Sequence, residues 1–260
     1  VQQPSTSRQQ TAGLARPSEE THRVPLDDGA ATTLHVLRLK RREYTARVVV
    51  LDPVRRLVEY CADRNVELAM IGGFYIRAES IPLGDLRIEG RVVPSRPFDE
   101  PWNRVRACLH SEDGEVTLRG RDELAPQPRG DLLQAGPMLV RDGVCLVEKG
   151  TDREGFSSGQ SQFDSDITEG RYPRAALGVS GEELIAVVCD GRAEDEAGLN
   201  MAELGRAMAE LGAIDAINLD GGGSASMVIG GRLVNTPRED HGIELVGGRA
   251  ISTVIRFERR

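Results

Sequence analysis

The chain has 260 residues, 39% hydrophobic and 28% charged, and a net charge of −8. A length of this order suits one large domain or two small ones, and the composition is that of a folded chain. The acidic balance argues against a nucleic-acid polymer or an anionic membrane as partner, and no stretch is apolar enough for long enough to span a bilayer.

Residues 1–23 are rich in Gln, Ser, Thr, Pro and Arg without an apolar period, so they are expected to form a disordered tail ahead of a folded unit over 24–260. No signal-peptide core opens the chain, which favours a cytoplasmic compartment; a leader removed beforehand would make the protein secreted. Residues 33–39 alternate apolar and polar, and 44–51 form a β-branched apolar run. The two are expected as a hairpin or as neighbouring strands. Asp52-Pro53 suits an N-cap and first helical position, and Val54, Leu57, Val58 and Cys61 supply the buried stripe of a helix over 53–63. A short strand over 67–71 runs into Gly72-Gly73-Phe74-Tyr75. These glycines suit either a close backbone approach or a bulge, and the aromatics suit a core as well as a site.

Residues 106–110 and 115–119 flank Asp113-Gly114 as a hairpin, and 131–140 reads as a strand broken by Gly136-Pro137. From 148 to 170 the chain is polar and glycine-containing, either a long loop of the kind that serves as a binding lid or a disordered segment. Residues 174–179 and 183–188 form two strands about Ser180-Gly181-Glu182, and the second leads to Asp190-Gly191-Arg192. Asn200 and Glu203 have capping-box spacing; Met201, Leu204, Met208 and Leu211 follow as a helical stripe that Gly212 ends. A buried strand over 215–217 then meets Asn218-Leu219-Asp220-Gly221-Gly222-Gly223-Ser224. Successive N–H groups in so bare a turn can form a concave anion site with Asp220 at its lip. A glycine-rich hairpin turn is the competing reading of the same residues. Gly230-Gly231 joins one more hairpin, Asn235-Thr236-Pro237 opens a second polar loop, and Gly248-Arg249 enters a final strand over 250–257.

Short strands, Gly-rich hairpins and few helices predict an α+β fold: a mixed, mostly antiparallel sheet system with a few packed helices. Several chemistries are absent. There is no P-loop, dinucleotide fingerprint or zincin motif. Ser224 lacks a nucleophile elbow, because Ser226 stands at its last glycine position. Cys61, Cys108, Cys145 and Cys189 are too scattered for a zinc site and read as buried thiols, and His22, His35, His110 and His241 have no metal-ligand spacing. What remains is polar residues at strand ends: Arg174, Asp190, Asn218, Asp220, Ser224, Asn235 and Arg249. Arginine forks suit phosphate and carboxylates suit work at a sugar carbon, so the set favours a phosphorylated or otherwise anionic carbohydrate.

Blocks of sequence then fall in a telling order. Gly72-Gly73-Phe74-Tyr75, Gly136-Pro137-Met138-Leu139-Val140 and Arg174 with Leu177-Gly178 are followed by Asp190-Gly191-Arg192 and Gly198-Leu199 with Ala202-Glu203-Leu204. Asn218 to Ser224, Asn235-Thr236-Pro237 and Arg249 complete the series. Over roughly residues 44–257 this resembles the phosphodiester glycosidase family, which includes bacterial exopolysaccharide-related proteins. The resemblance implies a catalytic domain that hydrolyses the glycosidic C–O bond of a sugar-1-phosphodiester to a free sugar and a phosphomonoester. For that reaction, strand-end position makes Asp220 the first and Asp190 the second candidate for the catalytic carboxylate. Gly72, Gly73, Phe74, Tyr75, Arg174, Asn218, Gly221, Gly222, Gly223, Ser224, Asn235 and Arg249 are the implied substrate contacts, with Arg174, Arg249 and the 221–223 backbone assigned to the phosphate. A non-catalytic binder of anionic glycans or nucleotide sugars in the same pocket is the alternative. The chain departs from the family pattern at Ile71, Tyr75, Ala175 and Ala225, positions expected to line the pocket and alter what it accepts. No cofactor is required; a divalent metal is compatible with so many carboxylates, though no ligand spacing demands one. The partner expected is a phosphorylated carbohydrate, and a homo-oligomer is left open.

Overall fold

A computed structural model describes residues 17–148, 152–157 and 168–260. Alternation in the strands decides its layers. In Ala31–Lys40, Leu34 and Val36 enter one buried cluster while Leu37 and Leu39 enter another. Arg174–Val179 and Glu183–Cys189 repeat the pattern, with Ala176, Ile185 and Val187 on one face and Ala175, Leu177, Leu184 and Ala186 on the other. Strands apolar on both faces need cover on both faces.

They lie in a seven-stranded sheet, ordered Ser18–Pro25, Ala31–Lys40, Glu183–Cys189, Arg174–Val179, Asp215–Asn218, Met138–Arg141 and Val144–Cys145. Helix Met201–Glu210 covers one face through Met201, Leu204 and Met208. The other face meets two five-stranded sheets in the main core. The second sheet runs Glu115–Gly120, Ala107–Glu112, Asp131–Gln134, Leu86–Ile88, Arg91–Val92. The third runs Arg232–Leu233, Met227–Ile229, Leu68–Ile71, Ala250–Arg259, Tyr44–Arg56, with helix Leu57–Arg64 packed against it. Strand pairing in all three is antiparallel. The architecture is thus the expected antiparallel sheet system, with strand far outweighing helix.

Local turn chemistry is realised as expected. Asp113-Gly114 and Gly230-Gly231 close hairpins. Asn200 accepts from the Glu203 N–H at 2.9 Å while Glu203 accepts from the Asn200 N–H at 2.9 Å.

Four expectations need correction. Residues 33–39 and 44–51 do not pair; Ala31–Lys40 lies in the first sheet and Tyr44–Arg56 is the edge of the third. The helix begins at Leu57, because the chain stays extended through Asp52-Pro53 to Arg56. The register there shifts between Ile251 and Thr253, and a bulged edge strand tolerates a residue without an N–H. The end of the expected 1–23 tail is a strand: Ser18–Pro25 pairs along Ala31–Arg38, and the part of the expectation that falls on 1–16 lies outside the described residues. Backbone bonds and ion pairs hold this strand without an apolar pattern, among them Arg38–Glu20 at 2.9 Å and Arg23–Glu196 at 2.5 Å. Finally, the expected loop over 148–170 lies partly outside the described residues, but its 152–157 portion is built into the core. Phe156 is fully buried there, 5.8 Å from the Phe74 ring, and Glu154 accepts the N–H groups of Met138 (2.6 Å) and Ala107 (2.8 Å).

Two seams place the site. Gly136-Pro137 carries the chain from the second sheet to the first and is tied to Asn218 by Gly136 N–H to Asn218 O and Asn218 N–H to Pro137 O, both 3.0 Å. After Asn218, Leu219 N–H donates to Ala175 O (2.9 Å) in the first sheet, and Asp220 N–H to Gly72 O (3.1 Å) at the end of a third-sheet strand. The glycine turn therefore bridges two sheets where they diverge.

Candidate active site

The turn is bare because other parts of the chain occupy the space a side chain would need. A Cβ on Gly221 would come within 2.9 Å of Pro173 O, one on Gly222 within 3.3 Å of Arg192 Nη1, and one on Gly223 within 2.8 Å of Arg249 Nη2. Gly222 also has φ of +57°, a conformation glycine adopts without strain. Two of the three glycine N–H groups expected to line an anion site are engaged within the chain. Gly221 N–H donates to Asp220 Oδ1 (2.9 Å), Gly222 N–H to Pro173 O (2.8 Å) and Ser224 N–H to Gly221 O (3.1 Å). What the turn gathers instead is guanidinium groups.

Arg249 and Arg192 lie against Gly223 and Gly222. Arg192 and Arg174 both stand over the Tyr172 ring, at 5.3 and 5.1 Å. Arg174 is not presented to an open site: it is 3% exposed, its Nε donates to Leu199 O (2.9 Å) and its Nη2 to Gly170 O (2.8 Å). It braces the 172–174 segment beneath the turn.

Asp220 is the carboxylate of the turn. It keeps partial solvent access, yet burial raises its pKa to about 6. Against that act a hydrogen bond from Ser224, the Arg249 and Arg77 charges and the Gly221 N–H. Ser224, fully buried, also accepts from Arg249 Nη1 at 3.4 Å. Arg249 meanwhile grips Glu239 with two nitrogens, Nε on Oε1 at 3.0 Å and Nη2 on Oε2. That bond, ahead of burial acting in the opposite sense, holds the Glu239 carboxyl below its usual value. The next residue, Asp240, pairs with Arg192 at 2.6 Å.

Asp190 is partnered differently from Asp220. One oxygen meets His35 Nε2 (2.8 Å) and the other accepts the Thr236 N–H (2.7 Å), so both are engaged within the chain. Asn235 beside it gives its amide to Ala225 O (2.9 Å) and takes the Met227 N–H (3.2 Å). Together they anchor the start of the loop that carries Glu239 and Asp240. Asn218 likewise serves a seam, donating Nδ2 to Gly136 O at 2.9 Å.

Gly72 and Gly73 lie close against Thr253 of the third sheet. A Cβ on Gly72 would sit 2.5 Å from Thr253 Oγ1, and Gly73 N–H donates to that same oxygen (3.0 Å). Phe74 belongs to a core cluster with Phe98 and Phe156. Tyr75 stays near the site: its hydroxyl donates to Ala250 O (2.6 Å), and burial, then the Asp220 charge, raises its pKa. Of the departures expected to line the pocket, Ile71 and Ala175 are fully buried in strands and Ala225 is fully buried just after the glycine turn. Among the described residues no group of three or more His, Cys, Asp or Glu side chains is arranged to hold a metal.

Sequence reasoning passed over Glu239, Arg192, Tyr172 and Arg77. Arg192 stands in the quoted Asp190-Gly191-Arg192 block and had a signal. Nothing local separates Glu239 from Asp240 or Glu244 in the same polar loop.

Residues 64–258 match the family model described as phosphodiester glycosidase. The N-acetylglucosamine-1-phosphodiester alpha-N-acetylglucosaminidase of Mus musculus is 29% identical over 178 residues, 67% of this chain and 34% of the relative. The Bos taurus protein of that name is 29% identical over 246 residues, 89% of this chain and 45% of the relative. The chain thus spans less than half the length of the curated relatives it matches. Among solved structures, the zebrafish catalytic domain of that name, auto-inhibited by pro-peptide, superposes with a TM-score of 0.72 at 20% identity, covering 99% of this chain and 87% of that one. A hypothetical protein from Synechocystis gives a TM-score of 0.65 at 17% identity, covering 94% and 62%.

Proposed function

Because this chain belongs to the phosphodiester glycosidase family, we propose that it hydrolyses the glycosidic C–O bond of a sugar-1-phosphodiester, releasing a free sugar and a phosphomonoester. The observation that carries the reading is Asp220: a carboxylate held by Ser224 and the Gly221 N–H, in the field of Arg249 and Arg77, at a turn free of side chains.

The chemistry divides between charge and carboxylate. A departing phosphate is a weak base, so its release asks for neutralisation of charge more than for a proton. Arg249, Arg192 and Arg77 are the groups placed to supply it. Asp220, ionised above about pH 6, acts at the anomeric carbon or on the attacking water. The phosphate assignment thus keeps Arg249 and moves from Arg174 and the turn N–H groups to the neighbouring guanidiniums. Asp190 keeps the loop in place and is a positioning residue in this reading.

Incubation with a panel of sugar-1-phosphodiesters and nucleotide sugars in heavy-oxygen water, read by mass spectrometry, tests the proposal. Label in the free sugar, with loss of turnover by about a thousandfold or more in Asp220→Asn, is the expected result. Label in the phosphate would assign the wrong bond. Binding without turnover across the panel would favour a non-catalytic binder of anionic glycans.

A further inference from the structure

We propose that Glu239 is a positioning residue for this reaction: it holds the Arg249 fork so that one guanidinium nitrogen faces Ser224, and Ser224 in turn directs its proton onto Asp220. The inference rests on Asp220 being the working carboxylate.

Hydrogen bonds join Glu239, Arg249 and Ser224 in series, and Ser224 acts in turn on Asp220. Glu239 takes Nε and Nη2 of Arg249, which uses one edge of the planar guanidinium. Nη1 on the remaining edge is then directed at Ser224 Oγ, 3.4 Å away. A hydroxyl has one proton and two lone pairs. With a cationic donor on a lone pair, its proton is left for an acceptor, and Asp220 is the acceptor that Ser224 meets. Glu239 thereby fixes a donor on Asp220 without touching it.

The backbone explains why this role can be separated from folding. Glu239 N–H donates to Ile243 O (2.8 Å), Gly242 N–H to Glu239 O (3.2 Å), and Arg249 N–H to Gly223 O (3.3 Å). Both residues are tied by their main chains, so the side-chain fork is free to set orientation. Charge adds a second effect. Asp220 feels Arg249 and Arg77, and Tyr75 feels Asp220, Arg249, Arg77 and Glu239. Arg192 acts on Glu239. Glu239 offsets part of the positive charge that favours an ionised Asp220.

Two changes in the chain should therefore move Asp220 in opposite directions. Replacing Glu239 by Gln removes a negative charge and leaves Arg249 uncompensated, so Asp220 ionises at lower pH. Replacing Ser224 by Ala removes a donor to the carboxylate, so Asp220 ionises at higher pH. Carboxyl-carbon NMR of labelled aspartate, with the Asp220 signal assigned from Asp220→Asn, reads this directly. The expected shifts are about one pH unit downward for Glu239→Gln and upward for Ser224→Ala. Turnover should follow, with the acid limb of kcat/KM displaced the same way and the plateau of Glu239→Gln kept within roughly tenfold of wild type. Because the fork orients Ser224, Ser224→Ala should shift Asp220 less in the Glu239→Gln protein than in the wild type; an equal shift in both, each folded by circular dichroism, would overturn the proposal. So would loss of turnover at every pH, which would place Glu239 in the chemistry itself. If the titrations shift as stated while the wild type turns over no phosphodiester, the family reaction fails and the positioning role stands.

Discussion

At the scale of single residues, burial and charge decide which polar groups are available for chemistry. Asp190 and Asp220 look alike in sequence, each a carboxylate just past a strand. His35 and the Thr236 N–H engage both oxygens of one, while the other retains solvent access and a pKa raised to about 6. The pH dependence follows from that value. If Asp220 works ionised, kcat/KM rises with pH through about 6 and levels above it. Arg249→Gln removes a positive charge that favours ionisation, so this limb should move upward as KM rises. A pH–rate profile of the two proteins checks both directions. Asn235 makes a purely structural prediction. Asn235→Ala leaves the buried Met227 N–H and Ala225 O without their partner, which costs about 1–3 kcal/mol. A thermal melt should show Tm lower by roughly 3–8 °C.

Elements were legible in the sequence where local chemistry sets them. The capping box at Asn200 and Glu203, the Asp-Gly and Gly-Gly hairpins and the strand pair about Ser180-Gly181-Glu182 all act within a few residues. Contacts between distant segments were not legible. Pro53 reads locally as a helix start, yet a bulged pairing with the 250–259 strand, some 200 residues away, keeps it extended. Ser18–Pro25 has no apolar signature because it is held by backbone bonds to its neighbour. The same limit hid the Glu239–Arg249 fork and the His35–Asp190 pair, since no spacing rule joins residues that only the fold brings together. Gly72 shows the distinction clearly: glycine was recognised, but the approach of Thr253 that leaves no room for a side chain was not. Gly72→Ala should therefore destabilise by about 1–3 kcal/mol. Thr253→Ala should relieve only part of this, because the backbone carbon of Thr253 is also only 3.0 Å from the added methyl. Denaturant melts of the single and double variants measure the coupling.

Over the whole molecule, acidity is felt through Glu154 as well as Asp220. Burial raises the Glu154 pKa to about 7, against the lowering effects of two backbone N–H bonds and Arg106. A folded value above the unfolded one means that the folded state binds the proton more tightly. Its contribution is fully present below about 4.5 and is lost as pH rises through about 7. Tm should fall by on the order of 5 °C across that window. Glu154→Gln should flatten the slope even though its single acceptor oxygen leaves one N–H poorly met and lowers stability throughout. Calorimetry at a series of pH values separates slope from level.

The glycine turn that joins the first and third sheets gives the protein a built-in test of its own assembly. Its neighbours arrive from residues near 72, 174, 192 and 249, so no continuous fragment of the chain contains them all closely spaced. Contacts so far apart in sequence form late and together. Activity should accordingly return in refolding only with the last cooperative phase, after helix signal has largely recovered. A chain with either sheet incomplete would carry no weakened site; it would carry none.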